Sequence, residues 1–167
     1  MRLLLMRHAT TALAKDGNDL ERLLTGIGQA EAIQAGKFLA QYRIDKKIVS
    51  YAKRTLQTHS ITQEQMRESK LQVVEELYNG DISEALDLIH SQEDHYKNIL
   101  VIGHNPLIYD LALILAKRNS PQYDDLSSSL MPPGRIVIID FPNLNNWHDL
   151  QNSSGEIVDI FTPSISK

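Results

Sequence analysis

A chain of 167 residues is long enough for one domain with a proper core and short for two. Its composition, 42% hydrophobic and 23% charged with no low-complexity tract, is that of an ordered globular protein rather than a tail or linker. Lys and Arg number 17 against 21 Asp and Glu, a net charge of −4 that argues against a broad nucleic-acid-binding face and confines any anion site to a local cluster of cations.

The absence of cysteine excludes disulfides, thiol catalysis and zinc–thiolate sites. After Arg2 only four apolar residues precede Arg7, too few for a signal-peptide core, and no later apolar run reaches membrane-spanning length. The expectation is a cytoplasmic, monomeric protein with no membrane segment, folded as a single domain over residues 1–167.

In chain order, "RLLLM" (2–6) reads as a buried strand that runs directly into Arg7 and His8. Residues 9–24 read as a loop. "TGIGQAEAIQAGKFLAQY" (25–42) opens on a Thr25 cap and sets Ala32, Ala35 and Leu39 at helical spacing. "KKIVSYA" (46–52) is a short strand, residues 52–68 are polar but helix-compatible, and "KLQVVEE" (70–76) is another short strand. A helix follows over 83–91. "NILVIGH" (98–104) is a second buried strand, and a helix over 106–118 is expected to start with Asn105 as cap and Pro106 in its first position. Residues 119–134 read as a loop, "RIVIIDF" (135–141) as a strand, and the Asn-rich stretch 142–155 as a loop containing a short strand around Trp147–Leu150. Strand–helix alternation predicts an α/β three-layer sandwich, a mostly parallel sheet with helices on both faces.

In such sheets ligands bind beyond the carboxyl ends of the parallel strands. Two buried strands here end in histidine, at His8 and His104, so both imidazoles are expected to face one crevice. Alone, a histidine at a strand end is more often structural or solvated; two at the ends of similar runs point to a site. Arg7 adjoins His8, Arg54 opens the helix after the second strand, and Arg22 precedes a helix start. Each could be a surface ion-pair member. Together they suit a phosphoryl group, because the planar guanidinium fork matches phosphate oxygens and phosphoryl-transfer catalysis is mostly positioning and cationic stabilisation. His59, His90 and His95 read as solvated, "IYDLALILA" as core, and Asp124 and Asp125 as loop residues without metal-ligand spacing.

"RHA" (7–9), "RTLQT" (54–58) and "IGHNP" (102–106), in that order after successive strands, resemble the histidine phosphatase superfamily, whose fold is phosphoglycerate mutase-like. "DLERLLTGIGQAEA" (19–32), read as D-x-x-R-x-L-T-x-x-G-x-x-x-A, is similar to the small phosphohistidine phosphatases of the SixA type. Each motif alone is weak, and the ordered set over roughly residues 1–140 is specific. The resemblance implies that His8 is the nucleophile that becomes phosphorylated, with Arg7, Arg22, Arg54 and His104 binding the phosphate and no metal or cofactor needed. It implies as substrate a phosphohistidine on a signalling, phosphotransfer protein, or alternatively a small metabolite or sugar phosphate; a non-catalytic phosphate-binding module is the third reading. For a general acid after the third strand the chain offers Glu75, Glu76 and Asp81, of which Glu76 aligns best; it reads equally well as a solvated carboxylate. Departures from the family pattern are Ala9 for glycine, Leu23 for the proline after Arg22, and Tyr51 for another proline. Near the last strand, "MPPGR" (131–135) offers Gly134 for a close backbone approach.

Overall fold

Leu3, Leu4, Leu5 and Met6 are all fully buried, yet they serve two different cores. Leu3 and Leu5 join one apolar cluster and Leu4 and Met6 the other, the period-two alternation of a strand covered on both faces. This is the first strand, β1 (Arg2–Arg7), of a six-stranded sheet in a computed structural model that describes residues 1–14 and 17–165.

The other strands are β2 (Lys46–Ser50), β3 (Lys70–Val74), β4 (Asn98–Gly103), β5 (Ile136–Asp140) and β6 (Glu156–Phe161), in the spatial order β3-β2-β4-β1-β5-β6. β3, β2, β4 and β1 are parallel, while β5 runs antiparallel to β1 and β6 antiparallel to β5. β4 and β1 are therefore central, as expected. Helices α1 (Gly26–Leu39) and α2 (Lys53–Gln63) cover the face that carries Leu4 and Met6. On the opposite face α4 (Ile82–His90) and α5 (Leu107–Leu115) bury Ala85, Ile89, Ile108, Leu111, Ala112 and Leu115 against Leu3, Leu5 and Val101. At about 1.5–3 kcal/mol for each large apolar side chain fully buried, these two layers hold the sheet. The short helices α3 (Glu76–Asn79) and α6 (Tyr123–Ser128) lie in the connections. The architecture is a single-domain α/β sandwich of three layers.

Four details differ from the sequence reading. The strand around Trp147–Leu150 is instead a 3-10 turn over Trp147–Asp149, because the fully buried Trp147 indole donates to Tyr96 O (2.7 Å) and its backbone N–H to Asp94 (2.8 Å). The last strand comes later, as β6. The loop 119–134 contains α6, which Arg135 ties to the body through Asp125 (2.9 Å). α5 begins at Leu107, not Pro106, and ends at Leu115, where Lys117 N turns to Gly155 O (2.7 Å); Asn105 does not cap it, because its Nδ2 donates across the site to Met131 O (2.9 Å). Finally, β3 stops at Val74, so Glu76 opens α3 instead of ending a strand.

Candidate active site

Beyond Arg7 the β1 ladder continues for one more bond, His8 N–H to Gly103 O (3.0 Å), which brings His8 level with the end of β4. The next residue of β4's chain is His104. The two rings lie 5.2 Å apart, centroid to centroid, at a tilt of 58°, with only 7% and 9% of the residues exposed. The expectation that both imidazoles meet at one crevice holds.

His8 is held in one tautomer. Its Nδ1 lies 2.8 Å from Ala9 O, and a carbonyl can only accept, so Nδ1 carries the proton and Nε2 keeps its lone pair. Burial penalises the imidazolium most, and the fields of Arg54, Arg7 and Arg22 add to it. Against the opposing pull of the Ala9 carbonyl they push the pKa down to about 4, so the ring is neutral at pH 7. Ala9 itself is fully buried; its N–H donates to Thr58 Oγ1 (3.2 Å), whose hydroxyl donates to Arg54 O (2.7 Å), linking the first strand's end to α2.

His104 Nε2 is 2.8 Å from Ser50 Oγ at the end of β2, and its Nδ1 is buried without a partner among the described residues. Burial, then the neighbouring His8 and Arg54, lower its pKa to about 3. If the Ser50 hydroxyl donates to Nε2, Nδ1 holds the proton and is a free donor.

The three arginines converge on this pair. Arg54 is 5% exposed; its Nη1 donates to Asp19 O (2.7 Å) and its Nη2 to Asp19 Oδ2 (2.8 Å), while its Nε has no partner among the described residues. Arg7 donates from Nη1 to Met131 O (2.9 Å), and its Nε is likewise buried and free. Burial, then the nearby Arg22, lowers the Arg7 pKa, a sign of cations packed close together. Arg22 spans the loop 9–24, donating to Ala12 O (3.0 Å), to Thr11 Oγ1 and to Asp19 Oδ1 (3.1 Å). Around them, Glu31 of α1 grips Thr10 through its N–H (2.7 Å) and hydroxyl (2.9 Å). Gly134, at φ +75°, donates its N–H to both Arg7 O and His8 O, the close backbone approach the sequence suggested.

Glu76 is exposed, borders a hollow with Glu75, Asn79, Gly80 and Glu84, and makes no side-chain hydrogen bond or ion pair to this cluster among the described residues. Two residues on, Tyr78 is the side chain that reaches the site: its ring meets His104 edge-on (5.3 Å), the Arg54 guanidinium lies 5.6 Å over it, and its hydroxyl donates to Asp19 Oδ2 (2.8 Å). Asp19, Tyr78, Ser50 and Thr58 are site residues the sequence reading missed. Asp19 stands in the D-x-x-R spacing, a signal present but unused; Tyr78 and Ser50 had none. Of the histidines read as solvated, His95 is exposed, but His59 is half-buried with a lowered pKa, from burial and then Lys47, and His90 donates from Nε2 to Leu150 O (2.9 Å).

A neutral, tautomerically fixed imidazole among three guanidinium groups is suited to attack on a phosphoryl group. A family model for the histidine phosphatase superfamily (branch 1) matches residues 3–98. The chain belongs to that superfamily. Among solved structures, the chain is similar to proteins assigned as the phosphohistidine phosphatase SixA. The one from Nakamurella multipartitia is 26% identical over 98% of this chain and 96% of that chain, with a TM-score of 0.85. The one from Agrobacterium tumefaciens is 25% identical over 97% of each, with a TM-score of 0.81. A mycobacterial glucosyl-3-phosphoglycerate phosphatase shares the fold at 14% identity, over 98% of this chain and 99% of that chain, with a TM-score of 0.67. No curated protein sequence is significantly similar to the chain.

Proposed function

We propose that this superfamily member is a phosphohistidine phosphatase that removes a phosphoryl group from a histidine of a phosphotransfer protein. The observation that carries the reading is His8: Nδ1 is tied to Ala9 O, Nε2 has no hydrogen-bond partner among the described residues, and the charges of Arg7, Arg22 and Arg54 act on the ring. In the first step the Nε2 lone pair attacks phosphorus while the bond from phosphorus to the leaving nitrogen breaks; the arginines and His104 balance charge on the transferring oxygens. The departing imidazole takes up a proton on its own ring. In the second step water attacks the phosphorus on His8, giving inorganic phosphate and restoring the neutral ring. No step is assigned to a metal ion or cofactor.

Leaving-group chemistry supports a phosphoramidate over an ester. An alkyl alcohol needs a proton from the enzyme as it departs, whereas an imidazole ring supplies its own site. The carboxylate best aligned in sequence for that task, Glu76, is exposed and makes no side-chain hydrogen bond to His8, His104 or the arginines among the described residues. A macromolecular substrate also suits the exposed apolar side chains Leu13, Leu23 and Leu130, which sit on the segments that supply Ala12 O and Met131 O to the arginines. The alternative, a phosphomonoesterase for a small metabolite or sugar phosphate, draws on the shared fold of the mycobacterial enzyme.

Phosphate release from a histidine-phosphorylated transfer domain, from an aryl phosphate and from a set of sugar phosphates separates these readings. Turnover of the phosphoprotein by at least tenfold in kcat/KM over any sugar phosphate is expected. Preference for a sugar phosphate overturns the substrate assignment, and oxyanion binding without turnover of any substrate leaves a phosphate-binding module.

A further inference from the structure

One carboxylate at the site, which neither attacks nor donates a proton, accepts three side-chain hydrogen bonds. Asp19 belongs to a single 3-10 turn (Asp19–Glu21) inside the connection between β1 and α1. Its Oδ1 accepts from Arg22, its Oδ2 accepts from both Arg54 and Tyr78, and its backbone carbonyl accepts from Arg54 as well. Arg54 thus gives one N–H from each terminal nitrogen to the same residue. A guanidinium has five N–H donors in a rigid plane, so this end-on grip leaves Nε–H and one further N–H on each terminal nitrogen, all fixed in direction. The Arg54 Nε is buried and has no partner among the described residues.

Resting on the phosphatase reading, we infer that Asp19 is a positioning residue: it locks Arg54 and Arg22 into one clamp and aims the remaining Arg54 donors at the phosphoryl group. Tyr78 completes the lock from the other side, fixing the carboxylate by its hydroxyl and the guanidinium by its ring face. The alternatives make opposite demands. A carboxylate that merely competes with phosphate for the arginines would weaken anion binding by its presence. A carboxylate that merely tethers the loop would affect stability and leave the anion site unchanged. Burial works against the charge of Asp19, but the hydrogen bonds from Tyr78, Arg22 and Arg54 outweigh it and hold the pKa at about 2, so the lock stays closed at any pH at which His8 is neutral.

Inorganic tungstate, titrated calorimetrically, reads the clamp without turnover, and hydrolysis of 4-nitrophenyl phosphate reads the reaction. Removing a charge-assisted contact of this kind is expected to weaken tungstate about tenfold in Asp19→Ala and to lower kcat/KM by about ten- to a hundredfold. Asp19→Asn, whose amide oxygen still accepts one N–H, should fall between, and Tyr78→Phe should weaken tungstate by about threefold, a milder change that keeps the chain folded. In an Arg54→Ala background, removing Asp19 should weaken tungstate by clearly less than the tenfold seen in the wild-type background, about threefold at most, because only its contact with Arg22 remains. Tighter tungstate binding in Asp19→Ala, a lowered unfolding temperature with unchanged affinity, or additive losses in the double variant each overturn the assignment. Tungstate behaviour as expected without hydrolysis by the wild-type protein would sink the phosphatase reading alone. No tungstate binding by the wild-type protein sinks both.

Discussion

At pH 5.5 a histidine of ordinary pKa is about 90% protonated, whereas one at about 4 is about 3% protonated. Acidification therefore tests whether the fold keeps His8 neutral. The depression comes first from burial and then from three guanidinium groups, so it should vanish on unfolding. The unfolded chain takes up the proton at about 6.5 and the native one only near 4. The unfolded state thus binds more protons across that window, and native stability falls as pH drops from 6.5 towards 4; for His8 the gap amounts to about 3 kcal/mol. Long-range proton–nitrogen NMR of the imidazoles, in phosphate-free buffer because a bound dianion would favour the imidazolium, reads both charge and tautomer. A neutral His8 ring protonated at Nδ1 is expected down to about pH 5. A midpoint near 6.5, or a proton on Nε2, would refute the reasoning, since Nε2 could then not be the attacking atom.

Three further outcomes follow from the geometry. Arg54→Ala removes a buried fork from the phosphate side and should cost about 3–4 kcal/mol of transition-state stabilisation, roughly 10²–10³ in kcat/KM; near-full activity would make Arg54 a structural residue only. Gly28→Ala would place a methyl group 2.0 Å from Thr10 O, so α1 or the chain after His8 must shift; a loss of about 1–3 kcal/mol in urea unfolding, together with reduced activity, is expected, and an unchanged protein would contradict the packing described. Glu76→Gln should leave kcat/KM for a phosphohistidine protein within about twofold, because the leaving imidazole accepts its own proton; a loss of tenfold or more would restore Glu76 as the acid.

Much of the fold was legible because a strand covered on both faces must be apolar at every position. "RLLLM" and "NILVIG" declare themselves as central strands, and Arg7, His8 and His104 stand out where those runs stop. β6 did not, since Glu156, Val158 and the half-buried residues after it give an edge strand with no clean apolar face. α6 was hidden by its serines and aspartates, and it is held by a tertiary ion pair to Arg135 rather than by its own pattern. At the site, the charges that act on phosphate were visible as residue types at strand and helix ends. Their partners were not: Ser50 meets His104 across 54 positions and Tyr78 meets Asp19 across 59, contacts that only the sheet order creates. The surroundings of Glu76 were hidden for a local reason, because α3 begins where the strand was expected to continue and its turn brings Tyr78 against His104.

The central claim is that the phosphoryl group rests on His8 between two half-reactions. Brief exposure to a radiolabelled phosphorylated substrate, followed by a denaturing quench and peptide mapping under alkaline conditions that preserve phosphohistidine, tests it most directly. Acid-labile label on the peptide containing His8, absent from His8→Ala and still formed, though more slowly, in His104→Ala, is the result predicted. Label on His104 or on Thr10, or turnover of wild-type substrate by His8→Ala, would contradict it.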